Sequence, residues 1–67
     1  MERFTAVGRW DGEHWVVSVD KPPNFGSAEA KGHSRTEAQD GATELLAILL
    51  DHRNFTVEVT FEEESHG

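Results

Sequence analysis

The chain reads as an α+β domain of order β-β-β-α-β, folding as a four-stranded mixed sheet in the order 3-2-1-4 with one helix packed on one face. Three observations predict it. Two alternating runs meet at Asp11-Gly12, the apolar period changes to that of a helix after Ser34, and residues 55–61 alternate without a fault. With 67 residues there is room for one small core. The domain is expected to span residues 1–62, and the acidic tail 63–67 has no apolar residue to anchor it and is expected to fray.

Residues 2–10 and 13–20 form the first two strands around a two-residue type I′ turn at Asp11-Gly12, where both central positions need positive φ. Counting outward from that turn sets Trp10 against Glu13, Gly8 against Trp15, Ala6 against Val17 and Phe4 against Val19 on one face. The Trp15 indole would then cover Gly8. Across the other face Arg9 meets His14, Val7 meets Val16, Thr5 meets Ser18 and Arg3 meets Asp20. Pro22, Pro23 and Gly26 break the pattern into a loop. Residues 27–32 alternate weakly, with Ala28 and Ala30 on one side, and read as a short edge strand protected by its charges.

Ser34-Arg35-Thr36-Glu37 is a capping box, in which the Ser hydroxyl and the Glu carboxylate satisfy backbone N–H groups reciprocally. Ala38, Ala42, Leu45, Leu46 and Leu49 then mark one face of a helix running to about Asp51 or His52, and Ile48 and Leu50 widen the stripe. Gly41 inside it costs about 1 kcal/mol relative to Ala, which a close approach to a Trp or to the sheet would explain. Phe55, Val57, Val59 and Phe61 form the apolar side of the last strand. A right-handed crossover that keeps sequential strands adjacent gives the order 3-2-1-4. The helix is then expected to cover Phe4, Trp10, Trp15, Val17, Val19 and the apolar side of the last strand, leaving Val7 and Val16 side by side on the bare face.

Six Lys and Arg against thirteen Asp and Glu give a formal charge of −7, which repels phosphate backbones and anionic lipid and attracts basic surfaces. Direct nucleic-acid binding and membrane association are not expected. The opening Met1-Glu2-Arg3-Phe4-Thr5 lacks a basic stretch followed by an apolar run, and there is no Cys, so the expected location is the cytoplasm. His14, His33, His52 and His66 have no helical i, i+4 pairing and no Cys to complete a site, so neither metal nor cofactor is expected. No catalytic residue is expected either. Ser34 is committed to the cap, and Ser18 and His14 are about 13 Å apart along a strand. The 3-2-1-4 sheet is also half of the ribonuclease-H topology, but Phe4-Thr5-Ala6-Val7-Gly8 supplies no carboxylate for a two-metal centre, and Asp20 and Glu58 cannot make one alone.

Glu37, Asp40, Glu44 and Asp51 follow the exposed side of the helix. They would serve as a solvated face, or as a docking surface in which charge steers a basic partner and an apolar centre holds it. Phe25, with Asn24 before it in the Pro-Pro loop, is a candidate for that centre, and could equally fold back onto the core.

An alternating strand, an Asp-Gly turn, an aromatic-containing second strand ending in Val19-Asp20-Lys21-Pro22, a short strand, and then Gly32-His33-Ser34-x-x-Glu37-Ala38 opening a helix resembles the N-terminal domain of HicB-type antitoxins. The resemblance covers almost the whole chain. It implies a degenerate ribonuclease-H-like domain without catalysis, which binds and blocks a small basic HicA-type mRNA-cleaving toxin, and it implies homo-oligomers, a dimer being the simplest. Binding would run through Asn24, Phe25, Glu37, Asp40 and Glu44. Many such antitoxins carry a further DNA-binding domain, and operator binding is not carried over. The alternative is a small homo-oligomeric structural or accessory protein whose bare sheet face pairs with itself.

Overall fold

The computed structural model describes residues 1–20 and 28–62. Its elements are β1 (Glu2–Trp10), β2 (Trp15–Asp20), β3 (Glu29–Gly32), α1 (Arg35–Leu50) and β4 (Phe55–Phe61). The sheet runs β3-β2-β1-β4, with β1 antiparallel to β2 and parallel to β4, and β2 antiparallel to β3. This is the mixed sheet and the order that the alternation and the crossover rule predict.

The hairpin register departs from the expected one by two residues. Trp10 pairs with Trp15, Gly8 with Val17 and Ala6 with Val19, so residues 11–14 make a four-residue loop instead of a two-residue turn. The cause is the Asp11 carboxylate, which accepts from the N–H groups of Glu13 at 2.8 Å and His14 at 2.7 Å and closes the loop over itself. The Asp11 N–H in turn donates to the His14 carbonyl at 3.0 Å. Gly12 takes a φ of 108°, but Asp11 is not left-handed, as a type I′ turn would require. A slip of two preserves every side chain's face, so the expected apolar and polar sides survive.

Two neighbour relations do change. Trp15 does not cover Gly8. Phe61, beside Gly8 in the parallel β1–β4 register, does so, and a Cβ on Gly8 would lie 2.4 Å from its ring. Val7 and Val16 are not partners either: Val7 pairs with Ser18, and Val16 lies between Arg9 and Lys31. Val16 is buried while Val7 is 42% exposed.

The Ser34 half of the capping box forms as expected, whereas the Glu37 carboxylate reaches the N–H of His33, one residue before the cap, and not that of Ser34 itself. The Glu37 N–H donates to Ser34 Oγ at 3.1 Å and the His33 N–H donates to Glu37 Oε1 at 3.0 Å, an arrangement worth about 1 kcal/mol. The helix ends at Leu50, with Asp51 in the left-handed conformation at φ 61°. His52 therefore lies beyond the helix, where its Nδ1 accepts from the Asn54 N–H at 3.0 Å. The short strand begins at Glu29, yet Ala28 still accepts from the Val19 N–H at 2.8 Å and is buried.

The core is built from Ala6, Val17, Val19, Ala28, Ala38, Ala42 and Leu46, and Leu46 and Val17 are its largest fully buried side chains. The helix does not spread over the whole sheet as expected. It packs mainly on β3 and then on β2. Small side chains draw it there. A Cβ on Gly32 would meet the Ala38 backbone nitrogen at 2.6 Å, and one on Gly41 would lie 3.1 Å from the Ala30 Cβ, which accounts for glycine inside the helix. Phe55, Val57, Val59 and Phe61 on β4 consequently remain half-buried.

Candidate functional site

The outer face of α1 carries the candidate surface. Glu37, Asp40, Glu44, Ile48 and Asp51 recur at spacings of three, four, four and three, which places them on one stripe along the helix and its cap. All five are exposed. Ile48 departs from the sequence expectation: it does not widen the buried stripe but is 74% exposed. It lines a shallow depression together with Ala47, Asp51, His52 and Arg53. The surface thus has acids along its length and an apolar residue near its C-terminal end.

The acids of this stripe have different local roles. Glu37 is half occupied by the cap. Glu44 accepts from the Arg53 guanidinium at 2.8 Å, and that hydrogen bond, reinforced by the opposite charge, holds its carboxyl below the ordinary carboxylate range. Asp40 and Asp51 make no side-chain ion pair or hydrogen bond among the described residues, so theirs are the charges on the stripe most available to a partner. Asn24 and Phe25 lie outside the described residues.

A second cluster stands where the ends of β1 and β4 meet the starts of β2 and α1. Trp15 sits 5.6 Å from Trp10 and 5.6 Å from Phe61, ring centre to ring centre, the latter edge to face. Arg35 lays its guanidinium over both Trp15, at 4.7 Å, and Phe61, at 5.3 Å. Sequence reasoning did not assemble this cluster, because it follows from the four-residue loop that brings Trp10 opposite Trp15. No family model, curated protein or solved structure matches the chain.

The histidines come closer than their sequence positions suggest. The rings of His14 and His33 are 5.1 Å apart. Among the described residues no group of three or more His, Asp or Glu side chains could hold a metal ion. The bare face of the sheet is electrically mixed. Arg3 reaches Glu58 at 3.3 Å, and the Ser18 hydroxyl donates to Glu29 at 3.1 Å. Arg9, Lys31 and Asp20 share that face, so the negative excess is carried elsewhere on the chain. No described helix is long and apolar enough to cross a membrane.

A pH dependence follows from the two carboxylates with defined partners. The His14 and Glu13 N–H groups hold the Asp11 carboxyl below its ordinary range, and Arg53 does the same for Glu44. Both are depressed in the folded state, so their contribution is present above about pH 4 and is lost as pH falls through the depressed values. Carboxyl titration by NMR should place Asp11 and Glu44 below the chain's ordinary acids. Asp11→Asn should remove the acid-side change in the Glu13 and His14 amide shifts. Ordinary titration of Asp11 would mean that the loop does not close on its carboxylate.

Proposed function

We propose that this chain is a non-catalytic protein-binding domain of the HicB-like antitoxin kind, which docks a small basic toxin-like protein on the outer face of α1. The observation that carries the reading is the acidic stripe Glu37, Asp40, Glu44 and Asp51 with the exposed Ile48 beside a depression. Exposed charges steer a basic partner and an apolar anchor slows its release, a division of labour common in protein interfaces. Further support comes from β1, the central strand that would hold a nuclease's metal ions. Between Phe4 and Gly8 it presents only apolar and hydroxyl side chains. The strand order β3-β2-β1-β4 and the formed Gly32 to Glu37 junction are those of the resemblance.

The test is co-expression with the small basic protein encoded by an adjacent reading frame, followed by titration of the two purified chains at low and high salt. A complex that weakens with salt is expected. Asp40→Lys should reduce the association rate, and Ile48→Asp should raise the dissociation rate by at least about tenfold. A neighbour that does not bind at low salt, or binds both variants as it binds the native chain, overturns the reading.

A further inference from the structure

The two edges of the sheet are unlike. β3 is four residues long and carries Glu29 and Lys31, the features of a protected edge. β4 is seven residues long, lies at the opposite edge, and pairs only with β1 among the described residues. Its sequence, Phe55-Thr56-Val57-Glu58-Val59-Thr60-Phe61, reads the same in both directions about Glu58.

The open side of that strand can be assigned residue by residue. The Glu62 N–H donates to the Gly8 carbonyl at 2.7 Å, so the backbone groups of Glu62 face β1. Along a strand this direction alternates, which turns Thr60, Glu58 and Thr56 toward β1 and leaves the N–H and C=O groups of Phe55, Val57, Val59 and Phe61 aimed outward. Those four residues are also the half-buried apolar ones. Outward hydrogen-bonding capacity and incompletely buried apolar side chains thus belong to the same residues.

We infer that β4 is an isologous pairing edge at which a second copy of this chain adds antiparallel, with the two-fold axis at Glu58. In that register Phe55 meets the partner's Phe61 and Val57 meets the partner's Val59. Both members of each pair present outward backbone groups, so every one of those groups is satisfied in the close hydrogen-bonded pairs of an antiparallel ladder. The palindrome makes the contact self-complementary, as a two-fold interface requires. Aromatic and β-branched pairs then line one continuous face. The like charges at the axis, Glu58 and its copy, are offset by Arg3, 3.3 Å from Glu58 in each chain, giving an Arg-Glu-Glu-Arg row with a cation flanking each carboxylate. The inference does not depend on toxin binding, which uses the outer face of the helix.

The experiment is sedimentation velocity with light scattering on the purified chain from about 1 μM to 1 mM. The mass should rise with concentration toward twice the 7.5 kDa of the chain. Val59→Pro removes an N–H that β1 does not use, so it should give a monomer that keeps the native circular dichroism. Glu58→Lys alters only an exposed side chain and should raise the dissociation constant at least about tenfold by placing Lys against Lys beside two arginines, while Glu58→Gln should not weaken the dimer. If Val59→Pro unfolds the chain, Glu58→Lys still decides. A native chain of 7.5 kDa at the highest concentration, or a dimer that Glu58→Lys leaves unchanged, overturns the inference.

Discussion

Replacing Leu46 by Ala is expected to cost about 2–5 kcal/mol, the range for truncating a fully buried leucine. Leu46 has no exposed surface and is, with Val17, the largest such side chain among the described residues. Four of the six other buried residues of its core cluster are alanines, Ala6, Ala28, Ala38 and Ala42, whose side chains cannot extend into vacated space. A domain of this length holds about 3–10 kcal/mol in total, so the variant should be largely unfolded, or retain a small fraction of the native urea midpoint. Leu45→Ala and Leu49→Ala, at half-buried positions, should lose distinctly less. A Leu46→Ala loss under about 1 kcal/mol would mean that the helix does not seat on the sheet through this residue.

What the sequence disclosed, and what it hid, divides along a physical line. The strict alternation of residues 55–61, the capping box at Ser34 and the helical spacing of Ala38, Ala42 and Leu46 are local, and each element formed where its pattern lay. The hairpin register depended on whether Asp11 would act as a backbone turn residue or spend its carboxylate on two N–H groups. That competition is decided by side-chain hydrogen bonding which dipeptide preference does not contain. The position of the helix over β3 depended on Ala28, Ala30 and Gly32 being small, a weak signal for a strand but a strong one for close packing. In the candidate site, Glu37, Asp40 and Glu44 were legible as one face. Ile48 was legible too, since it lies four residues beyond Glu44 and three before Asp51, but counting it with the leucines concealed that it continues the acidic stripe. The Trp10–Trp15 contact required the register and was not available from the residues alone.

Gly32→Ala should produce the second large effect, about 3 kcal/mol, because the contact it would crowd is backbone. The new Cβ would stand 2.6 Å from the Ala38 nitrogen and 2.9 Å from both the Glu37 carbonyl carbon and its Cβ. No rotamer change relieves that, so the first turn of α1 must lift from β3. The Ala38 N–H to Ser34 carbonyl bond and the two capping-box bonds span the same turn, and each is strained by the displacement. Gly8→Ala presents the contrasting case. There the obstacle is the Phe61 ring at 2.4 Å, a side chain near the end of an edge strand, so the loss should be smaller and should be partly restored by Phe61→Leu. Ala38→Gly cannot restore Gly32→Ala, since the opposing atom is the nitrogen and remains. Gly41→Ala should be close to neutral, because a gain of about 1 kcal/mol in helix propensity is set against a contact at 3.1 Å that a slight shift accommodates. Urea denaturation of the set should rank Gly32→Ala as the most damaging, with loss of amide protection in the first helical turn. If Gly32→Ala matched the native chain while Gly8→Ala did not, the helix would be seated by the aromatic corner at Trp15 and Phe61, not by its close contact with β3.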